Sequence, residues 1–315
     1  MNIKFFLSES ESKKSKIGEQ EKALSDIIDS YAKKIGFSTE YIEDIVVTDE
    51  EHYNQALETY TKANNAPAKG IAEFARTCFH EPEKNVFRSS IVFRTELVES
   101  VLAIGKKKSE DLSVDEMSFK YLVYHELGHC LDNKNRKNLA CKESEQINKF
   151  NINELFEHYS ELLLSELAAS FFSARAMSPE LYQQNMLSVV NGIAGRFKKL
   201  DKIKEDYTDK PAHLFKMAMA SSSAFWVILV HYSNLIGSRL NNEELSGIQL
   251  EVWPEASKIS HSLILEFEKM VCLLWNKYPD WQTEDYNFLV NIWKFLGMEN
   301  GYKFVQNPEG DGVYW

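Results

Sequence analysis

One short run in this chain, His125-Glu126-Leu127-Gly128-His129, has the residue types and the spacing for hydrolytic metal chemistry. On an α-helix, side chains four residues apart lie one above the other, so both imidazoles can reach a single ion while Glu126 is turned aside. Two imidazoles suit Zn²⁺, which in hydrolytic sites takes three protein ligands and keeps one position for water. A carboxylate beside that water can accept its proton as the oxygen attacks a carbonyl. His125 and His129 are therefore read as zinc ligands and Glu126 as the general base. The chain has eight histidines in 315 residues, and the bland competitor is a pair of ordinary core histidines, a reading with no mechanism behind the spacing.

The run must sit on a helix for this geometry to hold. Ser113-Val114-Asp115-Glu116 has the form of a capping box, in which serine and glutamate satisfy backbone amides at a helix start. From Met117 to Leu131 the apolar residues Phe119, Leu122, Val123, Tyr124, Leu127 and Leu131 fill more than one stripe, which predicts a helix buried on most sides. Asp132-Asn133, followed by Lys134-Asn135-Arg136, is expected to end it. Gly128 costs about 1 kcal/mol of helix propensity, tolerable where a neighbouring backbone must approach closely.

A third ligand must come from elsewhere. Asp132 is seven residues from His125, roughly 10 Å along the axis, too far to close the same tetrahedron. Downstream candidates are Glu143, Glu145, Glu154, Glu157, His158, Glu161 and Glu166, the first two in a polar stretch, residues 132 to 153, that reads as a long loop. Glu161 and Glu166 fall in a second apolar helix, about 154 to 177, where an acid among Leu162, Leu163, Leu164, Leu167, Phe171 and Phe172 is costly unless paired or metal-bound. Glu166 is preferred to Glu161, because Ala168, Ala169 and Ser170 follow it and allow close helix approach.

These motifs resemble those of ImmA/IrrE-like metallopeptidases. Tyr124 to His129 is similar to that family's first motif, and Glu166-Leu167-Ala168-Ala169-Ser170-Phe171-Phe172-Ser173, ending at Met177-Ser178-Pro179, is similar to its second. The resemblance implies a zincin-like domain of the gluzincin type over about residues 40 to 180, with His125, His129 and Glu166 as zinc ligands and Glu126 as base. Ser170 stands where the family has Asn, and the interval from His129 to Glu166 is longer than usual there.

Around these motifs the pattern predicts an α+β, mainly helical chain: an N-terminal helical segment at 1–39, the metallopeptidase domain at 40–180 and a helical domain at 181–315. A helix is expected over 17 to 36, closed by Gly36; a strand from Tyr41 to Thr48; a helix over 49 to 63; and strands over 71 to 79 and 85 to 94, joined by a turn near Pro82, so that a small antiparallel sheet precedes the metal helix. A sheet edge beside the cleft would bind an extended peptide, as the resemblance implies. After Pro179 the chain reads as entirely helical, over about 180 to 204, 211 to 240, 255 to 277 and 283 to 297. Its tryptophans and His213, His231 and His261 are read as core residues, with one of these histidines, His158 or Tyr159 able to supply an oxyanion donor.

A formal charge of −11 argues against nucleic acid as the main partner, which would demand clustered positive charge. The longest apolar run, near Ala224 to Tyr232, is far below the roughly 20 residues of a membrane helix. Phe5-Phe6-Leu7 is too short for a signal peptide's apolar core. Cys78, Cys130, Cys141 and Cys272 have no paired spacing, which fits a reducing cytoplasm, and Cys130 is read as structural. The expected function is zinc-dependent hydrolysis of peptide bonds in a protein or peptide substrate, Glu126 activating the zinc-bound water. The alternative is an inactive, zinc-stabilised interaction module that docks a partner through its helical lobe.

Overall fold

The computed structural model describes residues 1–8, 20–61, 74–80, 86–105, 107–108, 111–136, 152–207, 214–248, 259–305 and 312–314. The chain divides into two compact units: Met1–Ser144 with Ala168–Leu181, and Glu145–Leu167 with Tyr182–Trp315.

The first unit is built on a four-stranded sheet of β1 (Asn2–Phe6), β2 (Ile42–Thr48), β3 (Ala75–Phe79) and β4 (Ser89–Arg94), in the order β1-β2-β4-β3. β1, β2 and β4 are parallel, and β3 alone runs antiparallel, against β4. The expected small antiparallel sheet is thus mixed and mostly parallel. The reason lies in the connections: α1 (Glu21–Lys34) separates β1 from β2, and α2 (Tyr53–Thr61) lies between β2 and the β3–β4 pair. A crossover helix returns the next strand parallel, whereas a short connection reverses it. Residues 1–39 likewise form no separate helical segment, because Asn2 to Phe6 pair in register with Asp44 to Thr48.

β2 reads Ile-Glu-Asp-Ile-Val-Val-Thr and is buried at every position but Glu43, as a strand covered on both faces requires. On one face, Ile45, Val47, Ile91 and Phe93 pack with Leu24 and Ile28 of α1, with Leu97, Val98 and Val101 of α3 (Thr95–Ile104), and with Val123, Leu127 and Leu131 of α4 (Val114–Arg136). On the other, Val46, Cys78 and Val92 meet Tyr53, Ala56 and Leu57 of α2. Helix α3 has no counterpart in the sequence reading. Gly36, at φ 75°, ends α1 in the left-handed region that glycine enters without a Cβ penalty.

In the second unit, α5 (Ile152–Ser173, shared with the first unit), α6 (Pro179–Tyr207), α7 (Leu214–Leu240), α8 (Glu243–Ser246), α9 (His261–Trp275) and α10 (Thr283–Glu299) are followed by β5 (Lys303–Val305) and β6 (Gly312–Tyr314), which pair antiparallel. The C-terminal part is therefore not entirely helical. Gly301, at φ 77°, turns the chain out of α10 toward β5. Gly297 leaves room for the ring of Phe304, which a Cβ there would overlap. Phe156 stacks on Trp293 and Tyr159 on Trp226, so these aromatic side chains form an interior cluster. Among the described residues no helix is long and apolar enough to cross a membrane.

Candidate metal centre

The helix that carries the histidine pair starts where the capping box put it. Ser113 Oγ accepts the Glu116 N–H at 3.3 Å, and a Glu116 carboxylate oxygen accepts the Ser113 N–H at 3.0 Å. It runs to Arg136, the last residue of the expected stop. Asp132 and Arg136, four apart, form a buried ion pair at 2.6 Å, and Asn133 donates to Ser89 Oγ of β4 at 3.1 Å. Polar residues that resemble a helix stop are here paired interior groups, which lets α4 continue. Asp132 is occupied with Arg136 and takes no part in the metal group.

His125 and His129 are each 9 % exposed, and their rings lie 4.8 Å apart between centroids, nearly perpendicular. Glu166 joins them: one ligand atom from each of His125, His129 and Glu166 lies within 4.8 Å of the others. Among the described residues this is the one group of three or more His, Cys, Asp or Glu side chains close enough to share an ion. Two imidazole nitrogens and a carboxylate oxygen form a donor set that suits zinc in an open, three-ligand site.

The close approach of α4 and the last turns of α5 begins at Gly128. A Cβ there would stand 2.7 Å from the Ala169 carbonyl oxygen and 2.9 Å from its Cα, distances that real side chains do not tolerate. The glycine expected to admit a neighbouring backbone thus does so, against the Ala168-Ala169 pair, both fully buried. Because α5 is one continuous helix, the turn that seats Ala169 on Gly128 also fixes the height of Glu166. Gly128→Ala would gain about 1 kcal/mol in helix propensity, yet it collides with backbone, and overpacking typically costs about 1–3 kcal/mol. The expected result is a net loss of thermal stability, with metal binding weakened as well; a variant that melts higher and binds metal unchanged would show the two helices to be separable.

Glu166 accepts a hydrogen bond from Asn234 Nδ2 of α7 at 3.4 Å. Glu161, the competing candidate, accepts instead from the Tyr286 hydroxyl of α10 and is not in the metal group. Glu157 and His158 are half-buried on α5 and also outside that group, while Glu143 and Glu145 lie outside the described residues, as does the side chain of Glu154.

Glu126, 6 % exposed, is gripped from β3. The Thr77 hydroxyl lies 2.7 Å from Glu126 Oε2 and 3.0 Å from its backbone oxygen, within donating distance of either. Sequence patterning missed Thr77, because the contact depends on how β3 registers against α4, which no local signal encodes. Cys130, beside His129, is fully buried, and burial, reinforced by the nearby Glu126 charge, pushes its thiol well above the usual range. Cys130 is not among the side chains close enough to share an ion, in keeping with its reading as a packing residue. Among the described residues, Cys78, Cys130 and Cys272 form no disulfide.

Of the residues suggested as oxyanion donors, Tyr159 belongs to the aromatic interior. Burial lowers the pKa of His158 and of His231, the latter helped by the Arg196 charge and opposed by Glu166. His213 and the side chain of His261 lie outside the described residues. No family model matches this chain, and comparisons with curated proteins and with solved structures give no match either.

Proposed function

We propose that this protein is a zinc-dependent metallopeptidase with a zincin-like catalytic region similar to that of the ImmA/IrrE-like enzymes. The observation that carries the reading is the convergence of His125, His129 and Glu166 to within 4.8 Å, from residues 37 positions apart at the nearest (129 to 166). Among the described residues three His, Cys, Asp or Glu side chains meet there, the number of protein ligands a catalytic zinc site uses beside its water.

Zinc, when bound, supplies Lewis acidity that polarises a peptide carbonyl and eases ionisation of a water. The chain's own residues do the rest. His125, His129 and Glu166 would hold the ion. Glu126, held at Oε2 by Thr77, would take the proton from the attacking water and hand it on to the leaving amine. β3 is the terminal strand of its sheet, and its outer edge suits an extended peptide bound through backbone hydrogen bonds. A cytoplasmic setting fits the thiols and the apolar runs, and the substrate class is a protein or peptide, not nucleic acid.

The first test is metal analysis of the purified full chain. We expect about one zinc per chain, together with peptide hydrolysis that a chelator removes and zinc restores. A chain without bound metal that cannot be loaded would reject the proposal outright, whereas tightly held zinc without hydrolysis of any peptide would favour the interaction module.

A further inference from the structure

A zinc-ligating histidine binds through one ring nitrogen and must place the proton of the other on an acceptor, which fixes both tautomer and ring orientation. For His125 one group within reach is a serine: Ser170 Oγ, fully buried, lies 3.5 Å from His125 Nδ1. That distance is at the outer limit of a hydrogen bond. A serine hydroxyl also rotates and can donate as readily as accept. Were it to donate into Nδ1, the proton would sit on Nε2 and that nitrogen could not bind metal.

A second hydroxyl reaches the same serine. The Tyr121 hydroxyl donates to Ser170 Oγ at 3.3 Å, and the Tyr121 ring leans on the His125 imidazole, 5.9 Å between centroids and tilted by 39°. Tyr121 precedes His125 by four residues on α4, and Ser170 follows Glu166 by four on α5. On each helix the supporting group therefore lies one turn from a ligand, on the same face.

We propose that Tyr121 and Ser170 form a hydroxyl relay that orients His125 for the metal. Tyr121 occupies one lone pair of Ser170 Oγ, the His125 Nδ1–H takes the other, and the serine's own proton is directed away from the ring. Nε2 is then the nitrogen left for the ion. Tyr121 is a positioning residue in this scheme, since it touches neither ion nor substrate. The inference rests on the metal-centre reading and extends it to two residues outside the donor set.

The test is a double-substitution cycle on the full chain, with Zn²⁺ affinity read by competition against a chromophoric chelator. Tyr121→Phe and Ser170→Ala each remove a single oxygen and keep the packing. Loss of a supporting hydrogen bond typically weakens metal binding about 10- to 100-fold, and we expect Ser170→Ala to fall in that range and Tyr121→Phe near its lower end. The decisive quantity is coupling: with Ser170 already alanine, Tyr121→Phe is expected to weaken binding no further. Independent, multiplying losses, or an unchanged affinity in Tyr121→Phe, would overturn the relay while leaving the metal centre intact. A wild-type chain that binds no zinc would sink both.

Discussion

Glu126→Gln is expected to retain zinc and fold while losing hydrolysis. Glutamine has the shape of glutamate but cannot take up a proton, so the substitution removes the proposed general base and little else. The Thr77 hydroxyl, 2.7 Å from Glu126 Oε2, can donate equally well to the carboxamide oxygen of glutamine. That contact holds the side chain against β3 in both cases, and the capping box and the buried Asp132–Arg136 pair that maintain α4 are untouched. General acid–base catalysis contributes about 10²- to 10⁴-fold, and the expected fall in kcat is of that order, with KM nearly unchanged. Zinc content and melting temperature serve as controls. Wild-type turnover in the metal-loaded variant would remove Glu126 from the mechanism and transfer the base to another group.

The histidine pair was legible because its logic is local: four residues along a helix bring two rings to one face, whatever the rest of the chain does. Glu166 was legible for a different reason, the cost of an acid in an apolar helix followed by alanines; Gly128 pointed to a close backbone through its helix-propensity cost, and that the backbone is Ala169's needed coordinates. Glu161 shows where this reasoning ran short. It too is an acid in the apolar helix, and its partner is a tyrosine 125 positions away on α10, which no helical periodicity can indicate. The parallel sheet was missed because β1 is five residues long and reads as an isolated apolar cluster until β2 is placed beside it. Asp132, Asn133 and Arg136 read as a helix end because their identity as polar residues was visible and their pairing was not. Tyr121, in contrast, stood in view at i−4 from His125, and only its hydroxyl contact with Ser170 needed coordinates.

The assignment of the third ligand makes a prediction in which two neighbouring substitutions have opposite consequences. Glu166→Ala leaves two imidazoles and removes the anionic donor, so zinc affinity is expected to fall beyond the roughly 100-fold upper end seen for supporting residues. Stability without metal changes less, since the lost contact to Asn234 is long, at 3.4 Å, and removal of a half-buried carboxylate also removes its desolvation cost. Glu161→Ala acts on the other balance. It removes one acceptor of the half-buried Tyr286 hydroxyl, a hydrogen bond worth about 1 kcal/mol, while zinc binds as before. The two chains are thus distinguished by zinc stoichiometry and by melting of the metal-free protein measured side by side. If Glu161→Ala released the zinc and Glu166→Ala retained it, the donor set drawn from the present geometry would be wrong, and with it the argument that the turn of α5 seated on Gly128 sets the ligand's height.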